Sequence, residues 1–451
     1  MSRRVLIPRW WLPAVCSAVV SLAASPALPA SPDAERGKQA MLDVALEPSW
    51  PAESYETAWK VWGLKEKPAD HDAQFRRRYG LHVAPYENGG LPMGLKYIDR
   101  FGKKFIANDC LMCHGGSFDG QGHIGMPNAQ LDYQLLYDEM YQAAGVKPFP
   151  TPFELCRTRG TVNCNGAGTF VLLLRDDELN LRLPLGAPDW AKIPDMDIRS
   201  FWQWRRKNTL YTDGAISGES SRSMMVALAA SPFVSADKVK AAEPEWENIR
   251  EYLRTLTPPK YPFEIDARLA STGQAVFEQN CAHCHGTYGE SGEYPNKIVP
   301  IDEIGTDRGH FDSLTADGLE KWNKTWFGRR HPTKATGGYQ APPLDGVWAT
   351  APYFHNGSAP TVAAVLNSKD RPPRFRNSLT TNAEHYDQQR LGWKCEVLSE
   401  RPGDDEADLP AHERRRIYDT SAFGQSKTGH PFGDDLSADE RREVIEYLKT
   451  L

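Results

Sequence analysis

The stretch NCAHCHG, residues 280–286, sets Cys281 and Cys284 three apart and places His285 directly behind them. Residues 109–115, DCLMCHG, repeat the arrangement with Cys110, Cys113 and His114. C-x-x-C-H is the attachment signature of c-type haem. Two thiols about one helical turn apart become thioethers to the porphyrin, and the next His turns onto the iron. A four-cysteine zinc site is the competing reading, but zinc pairs usually stand roughly 12 to 20 residues apart. Here Cys110 and Cys281 are 171 positions apart. Zinc also leaves the following His unexplained both times. A redox dithiol belongs beside a βαβ pattern, which the sequence lacks. The cofactors expected are therefore two covalently bound haem c groups with their iron.

The surrounding chain is that of an exported soluble protein. With 451 residues it exceeds a comfortable single domain. It is 40% hydrophobic and 25% charged. Lysine and arginine are scattered, which argues against nucleic acid. Residues 1–30 read as a signal peptide: Arg3, Arg4 and Arg9 precede a short apolar run broken by proline. SRRVLI also has the look of a twin-arginine signal, and Cys16 lies in a poor lipoprotein context. Removal of that segment shifts the formal charge from −6 to −9. No later run is apolar enough to span a membrane. The expected location is periplasmic or secreted. There a disulfide is permitted, and Cys156 with Cys164 is the local candidate, against three separate thiols with Cys395.

A repeat organises the rest. IREYLRTL (249–256) returns as VIEYLKTL (444–451), one copy after each motif. Ser437 and Glu440 form a capping box for the second copy, with Val444, Ile445, Leu448 and Leu451 on one face. Ahead of the second motif, ARLASTGQAVFEQN predicts a helix with Leu269, Val276 and Phe277 on one face and Gly273 for close approach. The fold class expected is mostly α: two tandem cytochrome c-like domains with long loop insertions. The first spans 31–260, ending at the Pro-rich TPPKYP, and the second spans 261–451. A pure electron carrier does not need so much wrapping, which argues for an enzyme.

A haem iron held by one His keeps a free face. A strong sixth ligand closes it for electron transfer, and an open face admits oxygen or peroxide chemistry. For the second motif the candidates are His310, His331, His355, His385 and His430; near the first stand His123 and Met126. The acids of GHFDSLTADG (309–318) do not have EF-hand spacing.

Three segments carry a family resemblance. APPLDGVWATAPYFHNGSAPTVAAVLN (341–367) resembles the C-terminal signature of bacterial di-haem cytochrome c peroxidases and their relatives. DMDIRSFWQWRRKNTLYTDG (195–214) and GHPFGDDLSADERREVIEYLKTL (429–451) resemble the rubber oxygenase branch of that group. The resemblance implies His430 as sixth ligand of the second haem, opposite His285, with His355 near that haem but off the iron. It implies an open distal face at the first haem, held by His114 and lined by Phe201, Trp202, Trp204 and Tyr211. The bland alternative for these aromatics is ordinary core packing.

The function expected is a di-haem oxidoreductase, oxygenase- or peroxidase-like. The N-terminal haem would activate dioxygen or peroxide, with an apolar organic substrate, and the C-terminal bis-His haem would transfer electrons to or from a small donor or acceptor protein. Two other readings stay open. One is a di-haem electron carrier without a substrate. The other is a maturation enzyme that oxidises a partner protein through surface tryptophans.

Overall fold

The computed structural model describes residues 32–148, 151–182 and 192–451. The signal-peptide expectation and Cys16 lie outside these residues. No helix among them is long and apolar enough to cross a membrane.

Two helix pairs organise the chain. Helix α1 (Pro32–Asp43) packs on α2 (Glu243–Thr255), and α3 (Ala267–Asn280) packs on α4 (Ala438–Leu448). Asp266 caps α3 by accepting from the Arg268 and Leu269 amides, and α4 starts on the Ser437–Glu440 capping box. The pairs share one contact design. A Cβ at Gly37 would lie 1.8 Å from the Asn248 carbonyl oxygen, and one at Gly273 would lie 1.9 Å from that of Glu443. Asn248 and Glu443 are 195 positions apart, the same offset as the IREYLRTL and VIEYLKTL copies. Each glycine thus removes the side chain that would hold its helix away from the backbone of the closing helix.

The expectation of a mostly α fold is corrected. The described residues are 39% helical and 15% strand, and the strands form seven sheets of two or three strands each. The largest has Lys103–Asn108 between Leu46–Pro51 and Leu95–Arg100, both antiparallel to it, and its central strand leads directly to Cys110. Several ladders are only two residues long. The long inserted segments satisfy their backbone groups in such short ladders rather than in helices.

Nor are two tandem cytochrome domains shown, because the core is shared across residue 260. Phe118, Met126 and Trp202 are buried in one cluster with Phe277, Trp348 and Tyr386. Trp326 and Phe327 are buried in another with Met41, Phe201 and Trp246. Backbone bonds cross in the same way: Asp119 N–H donates to Thr381 O, Trp326 N–H to Asp177 O, and Gln340 N–H to Thr212 O.

Candidate functional site

Helix α3 delivers the second motif, and a single turn (Ala282–His285) presents its His. His285 Nδ1 lies 2.8 Å from the Pro342 carbonyl oxygen. A carbonyl only accepts, so Nδ1 carries the proton and Nε2 keeps a lone pair for a metal. The ring of His430 faces it, with centroids 6.2 Å apart and planes inclined by 55°. A metal held between two imidazole nitrogens at about 2.0–2.1 Å each separates the ring centroids by roughly 6 Å. Burial pushes His430 down to about 3 and lowers His285 as well. Both rings are therefore neutral near neutral pH, as ligation requires.

His430 owes its place to the loop ahead of α4. Its backbone is left-handed, φ +48°, and its amide donates to Ile304 O at 2.6 Å. Arg371, which the sequence did not single out, grips this loop. Its buried guanidinium donates to the carbonyls of Lys427, Gly429 and His430, and to those of Ala364 and Val365. The same guanidinium lies over the Phe354 ring, which in turn lies 5.8 Å from His430.

The cleft between the two imidazoles has a mixed lining. Cys281, Cys284, His285 and His430 line it among apolar walls such as Phe277, Leu344 and Leu448. Ser200, Thr306, Gln340 and His355 also line it. Each has a buried polar atom without a hydrogen-bond partner: Ser200 Oγ, Thr306 Oγ1, Gln340 Oε1 and His355 Nε2. His355 packs on Tyr339, with ring centroids 4.5 Å apart. No cluster of at least three His, Cys, Asp or Glu side chains suited to a bare ion occurs among the described residues. Opposed imidazoles, two adjacent thiols, apolar walls and orphaned polar groups fit a flat apolar group with a metal at its centre and polar substituents. These residues fit haem c and not zinc.

The first motif is built likewise, on the turn Leu111–His114. His114 Nδ1 donates to Arg199 O at 2.7 Å, and burial pushes the imidazole down to about 4. Phe201 stacks on the His114 ring at 3.9 Å. Trp202 is fully buried and donates through Nε1 to Asp345 O, in the shared cluster. Trp204 packs against Phe201 at 6.5 Å. Met126 is buried in Trp202's cluster, while His123 sits on the hairpin strand Gln121–Ile124, opposite Gly116. Cys156 and Cys164 are separate thiols: Cys156 Sγ lies 3.7 Å from Asp132 Oδ1, and Cys164 Sγ lies 3.9 Å from Asn165 Oδ1.

A second repeat joins the two sites, at an offset of 143 positions. Arg199 O receives His114, and Pro342 O receives His285. Twelve residues on, Tyr211 and Phe354 are both left-handed, φ +66° and +69°. Gly214 and Gly357 follow, also with positive φ. Leu210 pairs with Ile216 as Tyr353 pairs with Ala359. Asp213 Oδ1 accepts from the Ala215 amide as Asn356 Oδ1 does from that of Ser358. Tyr211 thus holds at the first site the place of Phe354 at the second. Tyr211 is 48% exposed. Its hydroxyl donates to Ser223 O. The signal was present in the sequence as LYTDG and YFHNG, but it is too short to stand out without the backbone.

Cleft, thiols and imidazoles together define a haem-binding protein of the c type. Comparison with known proteins agrees: residues 338–376 match the family described as RoxA-like, cytochrome c-like. That supports a cytochrome c of the RoxA-like kind, and a domain of this kind implies covalently bound haem c. The chain is also similar to two uncharacterized proteins of Sinorhizobium fredii. It is 26% identical to y4iM over 377 residues, covering 74% of this chain and 80% of that one. It is 27% identical to y4iJ over 265 residues, covering 44% and 41%.

Proposed function

We propose that the chain is an exported c-type oxidoreductase with two haems, in which the first site does chemistry and the second transfers electrons. Haem c, when bound, supplies one-electron redox chemistry, and a free iron face takes a diatomic or a peroxide. At the second site His285 and His430 would hold the metal, so that site suits electron exchange with a small redox protein. At the first site His114 is the attachment His, and Phe201 orients its ring.

The observation that carries this reading is the asymmetry within the 143-residue repeat. Phe354 has His430 beside it, whereas no His ring packs on Tyr211 among the described residues. On this reading the first site has only the Tyr211 ring where the second has Phe354 and a ligand. An apolar wall excludes water and favours a neutral diatomic over an anion.

Carbon monoxide added to the reduced, haem-loaded protein is the test. One haem should take it up, and His430→Ala should convert a second, low-spin haem to high spin. If neither haem binds carbon monoxide and both stay low spin, the carrier without a substrate replaces the enzyme.

A further inference from the structure

Arg199 serves both sites. Its backbone carbonyl receives His114, and its residue also lines the second cleft. Among the described residues the guanidinium has no carboxylate within ion-pair distance; the acid whose charge reaches it is Asp197. Burial pushes the Asp197 carboxyl well above the usual carboxylate range, against the pull of the Arg199 charge. Burial lowers both His310 and His355, and the Arg199 charge adds to it in each case.

The orphaned groups complete the picture. Ser200 is the next residue, and its Oγ, with Thr306 Oγ1 and His355 Nε2, is buried without a partner on the wall of this cleft. A buried polar atom left unpaired destabilises the fold. Several on one cleft, beside a permanent cation, mean that a bound group completes them. Hydroxyls and a guanidinium supply donors, so the matching chemistry is an anionic acceptor, and carboxylate suits the planar fork of Arg.

We propose that Arg199, with Ser200, Thr306 and His355, forms a carboxylate-binding subsite that grips the acid substituents of the group held by His285 and His430. The assignment rests on the haem reading of the second cleft. It makes one residue serve two sites, with its backbone fixing the first imidazole and its side chain neutralising charge at the second. A cation there favours the form carrying the additional electron and raises the midpoint potential of the low-spin haem.

Arg199→Gln and Arg199→Lys are compared in the haem-loaded protein by spectroelectrochemical titration, with haem content read from the mass of the denatured chain. Arg199→Gln should move the low-spin midpoint to a more negative potential with both haems retained, and Arg199→Lys should recover most of the shift. Ser200→Ala with Thr306→Val, which keeps the charge, should give a smaller shift of the same sign and covers the case in which Arg199→Gln does not fold. An unchanged low-spin midpoint in a fully loaded Arg199→Gln protein overturns the subsite. Survival of the low-spin signal in His430→Ala instead overturns the reading of the cleft beneath it, so the two failures are distinguishable.

Discussion

Arg371→Met should loosen His430 more than it harms the fold elsewhere. Arg371 is 4% exposed, and its guanidinium donates five bonds of 2.6–3.2 Å to main-chain carbonyls, three of them in the loop 427–430. A hydrogen bond from a charged donor contributes about 1.5–3 kcal/mol net. Simple addition overshoots, because deletion also removes the desolvation cost of a buried cation. Each buried carbonyl left without a partner costs about 1–3 kcal/mol, so a net loss of about 3–5 kcal/mol is the expectation. The loop also carries the left-handed backbone of His430, a conformation costing about 1–2 kcal/mol in a residue with a Cβ. Without Arg371 that strain has less to offset it. If about 3 kcal/mol falls on the position of His430, ligation weakens by roughly a hundredfold. Denaturant unfolding gives the total, and the low-spin fraction of the loaded protein gives the share at His430. Arg175 is the control, since it is equally buried and donates to the carbonyls of Leu179, Ala229, Ser231 and Val234. Arg175→Met should destabilise comparably and leave the low-spin signal intact. If Arg371→Met unfolds like wild type, or both variants change the spin state alike, the carbonyl cage does not position His430.

Two further outcomes follow from other parts of the molecule. Gly273→Ala should separate α3 from α4, because its Cβ would meet the Glu443 carbonyl at 1.9 Å and backbone cannot rotate away; overpacking of this kind costs about 1–3 kcal/mol or more, and a melting temperature equal to wild type would refute the contact. His82 is pushed by burial from its usual 6.5 down to about 4, with its ring nitrogens bonded to Ser117 and Asn128. The unfolded chain then binds a proton that the folded chain refuses, so this contribution is present above about pH 6.5 and is lost as pH falls toward 4, about 3 kcal/mol in all. His82→Gln should flatten the stability profile in that window, and an unchanged slope would show that other groups set it.

What the sequence disclosed depended on periodicity and on scarce residues. The paired C-x-x-C-H motifs stand out because Cys is rare, and α3 and α4 because each has a cap and a 3.6-residue apolar face. Helix α1 did not stand out. In the second half the leading helix ends at Asn280, against Cys281, whereas α1 ends at Asp43, with a three-stranded sheet between it and Cys110. The mixed fold was hidden for a related reason, since a ladder of two residues has no alternation to detect. Arg371 and Arg175 were invisible because a buried arginine bonded to carbonyls has no sequence partner of opposite charge.

The 143-residue repeat shows how much of the asymmetry between the sites comes from few substitutions on one backbone. Left-handed turns at Tyr211 and Phe354 place an aromatic residue at the same position of each repeat. What differs is the loop that returns ahead of the closing helix. Arg175 pins the first such loop by the carbonyls of Ala229, Ser231 and Val234, and Arg371 pins the second by those of Lys427, Gly429 and His430. The device is the same, but only the second loop contains a His. A pinned loop without a ligand is still restrained by its arginine. It follows that a His introduced into 231–235 would meet a restrained backbone rather than a mobile one. If Phe233→His or Val234→His quenched carbon monoxide binding at the first site, the two sites would differ by ligand supply alone; if every such variant still bound carbon monoxide, the loops would differ in geometry as well.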